Sequence, residues 1–357
     1  MGTVRHAFWL AALVAIGCSS GDVSENETRV WTLSGPTMGT RYAVSLVGGD
    51  EAAAQSLKAK IDLRLAELNR RMSTYDPGSE LSRFNASREA GGWFAVSGET
   101  ATVVAYAVAV ADQSGGAFDP TIGPVVNLWG FGPGDAVDRP PEAARIDAAL
   151  AAVGYGGIET RVGPPALRKA SGEAYVDLSA VAKGYGVDAV CEVVAAAGYT
   201  SFMVEIGGEV RAAGRKPNGA SWRIGVERAD EPLRFEGGRR LQEVVPLSDR
   251  ALATSGDYRN FFEHDGVRYS HTIDPRTGRP VTHALATVSV LAETCMEADA
   301  IATALLVLGP TEGYDWAVER GVAALLVERS AEGQLRERAT PAWSAALENP
   351  SPAETAP

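Results

Sequence analysis

The stretch Ala286-Thr287-Val288-Ser289-Val290-Leu291, with Met296-Glu297-Ala298-Asp299-Ala300-Ile301-Ala302-Thr303-Ala304-Leu305-Leu306-Val307-Leu308 close behind it, decides the fold class. The first run is short and predicts a strand, while the second has the length of a helix. On the C-terminal side a helix over Thr311–Arg320 and a strand over Val322–Glu328 follow. On the N-terminal side short strands dominate from Phe202: Phe202–Ile206, Trp222–Val226, Val244–Leu247 and Tyr269–Ile273. Runs of strands mixed with packed helices indicate an α+β fold and not an alternating βαβ one.

Further out, Trp31–Val47 reads as strands around a Gly-Pro-Thr-Met-Gly turn. Ala54, Leu57, Ile61, Leu65, Leu68 and Met72 fall at helical spacing and predict an amphipathic helix. Thr100–Asp112 predicts a second helix, and Gly115–Arg139, dense in Gly and Pro, a long ordered loop. A strand over Ala174–Leu178 leads into a helix over Lys183–Ala197. No internal repeat is present. The tail Asn349–Pro357 has the composition of a disordered segment.

Acidic residues outnumber basic ones, 45 to 33, which argues against a nucleic-acid partner. A phosphate-bearing small molecule stays open, because one local site or one metal reverses the field. Arg5 and His6 precede the apolar run Ala7–Ile16, too short to span a bilayer, and then Gly17 and Cys18. The tetrapeptide Ala15-Ile16-Gly17-Cys18 resembles the bacterial lipobox, with Ala where Leu is usual. Residues 1–17 are therefore expected to be a lipoprotein signal peptide, Cys18 the lipidated residue, and 18–30 a tether. Cys191 and Cys295 sit inside apolar helical patterns and read as buried free thiols.

Four stretches carry chemistry, each with a plainer reading beside it. Met38-Gly39-Thr40-Arg41-Tyr42 places a Gly where backbone can approach a ligand, or simply makes a turn. Asp177-Leu178-Ser179-Ala180-Val181-Ala182-Lys183 sets an acid at a strand end and a Lys at a helix start. Such a junction contacts phosphate or metal, or is only a capped helix. Tyr269 to Arg279 packs His271, Asp274 and Arg276 among its ionisable residues. His271 has the side chain suited to proton transfer near neutrality, and Asp274 is equally suited to capping the turn. Asp299 and Thr303, four apart, project from one face of an otherwise apolar helix. Hard oxygens of this kind suit Mg²⁺, although a Thr bonded back to its own turn explains half of the pair. Phe118–Gly132 is richer in aromatics than a linker requires and is suited to walling a flat ring.

Taken in order, these stretches resemble the ApbE family of FAD:protein FMN transferases. The likeness runs from about Thr32 to Glu328 through Met38–Tyr42, Met72–Asn85, Phe118–Gly132, Asp177–Asp188, Gly207-Gly208-Glu209, Thr254–Arg259, His271–Val281 and Ala298–Thr303. It implies a two-lobed single domain over 31–330, with 331–357 as a partly disordered extension. It implies FAD contacts from Met38, Tyr75, Ala117, Phe118, Asp119, Asp177, Lys183 and Ile273. Lys183 stands where some members carry an acid. Mg²⁺ would take the Ala180 carbonyl, the Asp299 carboxylate and the Thr303 hydroxyl. The implied reaction moves FMN from FAD to a Thr or Ser hydroxyl of a client and releases AMP, with His271 as base and Asp274 positioning its turn. Implied clients are respiratory flavoprotein subunits of the Na⁺-pumping NADH:quinone reductase or Rnf type. An enzyme lipid-anchored on the extracytoplasmic face of a bacterial membrane suits them. An Mg²⁺-dependent FAD pyrophosphatase and a non-catalytic flavin-binding lipoprotein remain open at this point.

Overall fold

Eight strands follow one another across the main sheet in chain order, every neighbour antiparallel. They are β1 (Val30–Thr37), β2 (Thr40–Val47), β3 (Phe202–Ile206), β4 (Glu209–Ala213), β5 (Arg250–Gly256), β6 (Leu285–Ala292), β7 (Ala323–Arg329) and β8 (Leu335–Ala339). The computed structural model describes residues 29–228, 241–257 and 260–348. Cys18 with its leader, Tyr258 and Arg259, and the tail Asn349–Pro357 lie outside the described residues.

The longer helices are α1 (Glu51–Met72), α2 (Gly98–Gln113), α3 (Ala182–Ala196) and α4 (Cys295–Leu308). Helices α1 and α3 bury Leu57, Ile61, Val187 and Val190 against Val44, Leu46 and Val204 of the sheet. Helix α4 buries Ala298, Ala302 and Leu305 against Val288, Val290 and Leu326. The opposite face takes a two-stranded ribbon, Trp222–Glu227 with Leu241–Leu247, and the helix Pro341–Glu348. Both faces of β6 are thus covered, and seven of its eight residues are buried. That explains why Ala286–Leu291 reads as a nearly continuous apolar run and not as an alternating one.

A second lobe packs α2 and Phe84 against a three-stranded sheet ordered Trp93–Ala95, Ala166–Lys169, Ile158–Arg161. Lys169 is buried there, and its ammonium donates to the carbonyls of Phe84, Asn85 and Ala174. The architecture is α+β, as the alternation of strand runs and helices predicts.

Several expectations are corrected. Ala174–Leu178 carries no regular secondary structure and pairs with no strand among the described residues. The side-chain amide of Asn85 satisfies both the N–H and the C=O of Val176, each at 2.8 Å, while Pro120 accepts the Asp177 N–H. With its polar groups met by side chains and a loop, the segment has no use for a ladder. Tyr269–Ile273 is two pieces: Val267–Ser270 pairs with Phe261–His264, and Ile273–Asp274 pairs with Arg279–Pro280. Between them the Ser270 hydroxyl accepts the Thr272 N–H and bends the chain. The loop Gly115–Arg139 contains a short helix, Gly123–Leu128, with Pro124 in its first turn. The fold also runs past residue 330. Strand β8 completes the sheet, and Trp343, 1% exposed, sits in the core beyond it.

Candidate active site

The turns at one end of the main sheet converge. The β1–β2 hairpin closes through Met38 and Gly39, both at positive φ (47° and 71°), between the paired Thr37 and Thr40. Glycine accepts that backbone freely; for Met38 it costs about 1 kcal/mol, and such strain tends to collect at functional positions. Strand β2 pairs with β3, whose end turns through Gly207 and Gly208 into β4 at Glu209. Strand β4 pairs with β5, which ends at Ser255 and Gly256. The start of α3 lies against these turns. A Cβ on Gly186 would meet Met38 Cε at 3.0 Å, and one on Gly207 would meet Lys183 Cδ at 3.5 Å.

Helix α4 brings in Asp299 and Thr303. Helices α3 and α4 touch backbone to backbone at Gly184, where a Cβ would come within 2.3 Å of the Cys295 carbonyl. The approach lets the Gly184 N–H donate to Asp299 Oδ2 at 3.0 Å. That N–H would otherwise serve the Ala180 carbonyl one turn earlier, and among the described residues that carbonyl accepts no backbone hydrogen bond. Asp299 Oδ1 has a looser partner, the Lys183 ammonium at 3.6 Å. Thr303 shares a hydrogen bond of 3.1 Å with the Ser255 hydroxyl. The start of α4 is fixed by Asp188, which accepts the N–H groups of Cys295 and Met296 and pairs with Arg211.

The oxygens offered by α4 and the start of α3 are therefore a half-satisfied carboxylate, a hydroxyl and a carbonyl without a backbone partner. All are hard oxygens, and they fit Mg²⁺, which keeps water or phosphate oxygens in its remaining positions. No cluster of three or more His, Cys, Asp and Glu suited to a metal occurs among the described residues. A one-carboxylate site of this composition does not depend on such a cluster.

Five residues beyond Ser255, the Asn260 carbonyl accepts both the backbone N–H and Nδ1 of His271, each at 3.0 Å. A carbonyl only accepts, so Nδ1 carries the proton and the Nε2 lone pair is left for chemistry. Burial lowers the pKa of the imidazole; the Asn260 bond and Asp257 oppose this, and Lys183 adds to it. His271 is thus held in its neutral form, with Nε2 able to accept a proton. Phe131 stands edge-on to its ring at 6.2 Å and continues into a stack through Phe262 and Tyr269. The aromatics of the Phe118–Gly132 loop therefore back the His271 hairpin, and Trp129 ties itself to the Gly278 carbonyl.

The other expected residues divide by what their side chains already do. Asp274 accepts from the backbone and guanidinium of Arg276, and among the described residues it shares no hydrogen bond with His271. It positions the turn and nothing more direct. Ala117, Phe118 and Ile273 are buried in apolar clusters, so a ligand would meet their backbone. Asp119 is buried and accepts from Thr121 and the Tyr155 N–H. Tyr75 is 65% exposed, and Asp177 lies near enough to help burial raise its phenol. Asp177 itself accepts from Ser179, beside the Gly123 turn. Lys183, expected to meet FAD, is paired with Glu209 at 3.1 Å as well as with Asp299.

With this geometry in place, comparison with known proteins is decisive. The profile of the ApbE family matches residues 38–326. The chain belongs to the ApbE family. An FAD:protein FMN transferase of Vibrio cholerae is 42% identical over 326 residues, covering 91% of this chain and 95% of that protein. The Haemophilus influenzae protein of the same name is 40% identical, over 87% of this chain and 89% of its own. The solved flavin transferase ApbE from Vibrio cholerae superposes with a TM-score of 0.80 at 40% identity, covering 89% and 99% of the two chains. The apo flavinyl transferase ApbE of Pseudomonas stutzeri gives 0.80 at 39% identity, covering 89% and 97%. As a family member the chain adds its own detail: Ser255, Asn260 and Glu209 complete the site. Sequence reading assigned none of them a role, and the one signal for Glu209 was an acid directly after a Gly-Gly turn.

Proposed function

We propose that this chain moves FMN from FAD to a Thr or Ser hydroxyl of a client protein in an Mg²⁺-dependent reaction that releases AMP. The observation that carries the reading is that His271 and the Asp299–Thr303 pair are both tied to the chain leaving β5, Thr303 to the Ser255 hydroxyl and His271 to the Asn260 carbonyl five residues on. Ala180, Asp299 and Thr303 would hold the metal. Bound there, Mg²⁺ supplies neutralisation of charge on the diphosphate oxygens. His271 Nε2 takes the proton of the acceptor hydroxyl, a weak nucleophile without a base. The hydroxyl oxygen bonds to the FMN-side phosphorus, the bridging P–O bond breaks, and AMP leaves with the bridging oxygen. The Met38 and Gly207 turns offer close backbone approach for the dinucleotide, and Tyr75 and Asp177 would supply further contacts to it.

The clients expected on this reading are respiratory flavoprotein subunits of the Na⁺-pumping NADH:quinone reductase or Rnf type. The lipobox-like Ala15–Cys18 supports an enzyme tethered outside the cytoplasmic membrane, and Cys18→Ala should free it from the membrane fraction. Among the described residues no helix is long and apolar enough to cross a membrane. Chromatography of FAD, Mg²⁺ and client with the full chain tests the reaction. AMP appearing only with client, and without free FMN, supports transfer. Equal FMN and AMP regardless of client makes the chain a pyrophosphatase, and bound FAD that never turns over leaves a flavin carrier.

A further inference from the structure

Lys183 lies between two carboxylates, and only one of them, Asp299, is a metal donor in the proposed function, on which this inference rests. Its ammonium is 3.1 Å from Glu209 Oε1 and 3.6 Å from Asp299 Oδ1. Burial alone would lower this ammonium, but Asp299 and Glu209 outweigh it and keep Lys183 charged. Asp299 Oδ2 is taken by the Gly184 N–H, so Oδ1 is the oxygen that an ammonium and a divalent cation must share. The second oxygen of Glu209, Oε2, is buried and has no hydrogen-bond partner among the described residues. A buried carboxylate oxygen is costly to leave unpaired, so one in this position calls for a functional account. The stem of Lys183 runs beside Gly207, where φ is +63° and a Cβ would stand 3.5 Å from Lys183 Cδ.

We propose that Glu209 is a positioning residue that keeps Lys183 as a displaceable internal counter-ion of Asp299. Before a divalent cation binds, the ammonium is shared between the two carboxylates. When the cation takes Asp299 Oδ1, like charge drives the ammonium off, and the open Oε2 of Glu209 gives it a second contact on the carboxylate it already touches. Lys183 then stays close, free to face the diphosphate oxygens of the substrate. Without Glu209 the ammonium would settle wholly on Asp299 and compete with the metal. Without Lys183 no ammonium would compete for Asp299 Oδ1, and the metal would bind more tightly.

Titration of Mg²⁺ alone, without flavin, into the full chain tests this by calorimetry, alongside the melting temperature of each variant. Glu209→Gln should weaken Mg²⁺ binding by about tenfold, and Lys183→Met should tighten it. In the Lys183→Met background, Glu209→Gln should have no further effect. An equal loss in both backgrounds would mean that Glu209 acts through its charge alone, and would overturn the positioning role. Unchanged affinity in Glu209→Gln would overturn it too. Should that variant fail to fold, Glu209→Asp keeps the charge but shortens the reach, and should weaken binding only while Lys183 is present. Asp299→Ala separates the two levels. Lost binding there, with silent Glu209 variants, rejects this inference and leaves the metal site standing. Binding retained in Asp299→Ala, or absent from the wild-type chain, overturns the metal reading and this inference with it.

Discussion

His271 is held by its own strand end and by the Asn260 carbonyl, so its ring enters the site with the proton on Nδ1. His271→Ala should leave FAD affinity unchanged and slow transfer by at least about 10²-fold, the range of a lost general base. Single-turnover labelling with a separate FAD-binding titration checks both halves. The lowered pKa of the ring sets the pH dependence. The basic form persists below the ordinary imidazole value of about 6.5, so the rate should hold as pH falls through that value and drop only at lower pH. An acid limb centred above 6.5 would contradict the burial argument. At this scale His271, Asp299 and Thr303 were legible in sequence, since each is a polar residue that an apolar strand or helix does not need. The Lys183–Glu209 pair was not legible. The two residues are separated by nearly all of α3, by β3 and by two turns, and the β3–β4 hairpin brings them together.

Helices α3 and α4 meet through Gly184, and their closeness is what lets Asp299 accept a backbone N–H. Gly184→Ala would place its Cβ 2.3 Å from the Cys295 carbonyl and 2.8 Å from Asp299 Cβ. Neither neighbour is a flexible side-chain end, so the helices must part. The expected cost is about 1–3 kcal/mol, seen as a lower melting temperature together with weaker Mg²⁺ binding. A variant as stable and as Mg²⁺-responsive as the parent would show that the contact is not needed. Helices α1, α2, α3 and α4 were placed to within a few residues, α1 by its regular apolar stripe and α4 by the length of its apolar run. Ala174–Leu178 misled because its apolar residues face a core while Asn85, far off in sequence, and the nearby Lys169 satisfy its backbone.

The main sheet is a meander in chain order, and its last strand lies beyond the boundary that the family likeness suggested. Removing everything after Ser330 would strip β8 from β7 and uncover Leu325 and Val327, which now pack with Trp343. The truncated chain should lose cooperative unfolding, and the milder Trp343→Ala should cost about 3–5 kcal/mol. Retention of the full melting temperature by the truncated chain would restore the boundary at 330. Sequence hid this segment because Leu335–Ala339 is mostly exposed and charged, as an edge strand is, and shows no apolar period. The α+β class, by contrast, was readable from the run of short strands beyond Phe202 that leads into β6 and α4. The most direct test of the whole account is the mass of a client protein incubated with FAD, Mg²⁺ and this chain. The account predicts a gain equal to FMN, with in-gel flavin fluorescence, abolished by EDTA and by Asp299→Ala. A client of unchanged mass while FAD is split, or a gain that survives EDTA and Asp299→Ala, would contradict it.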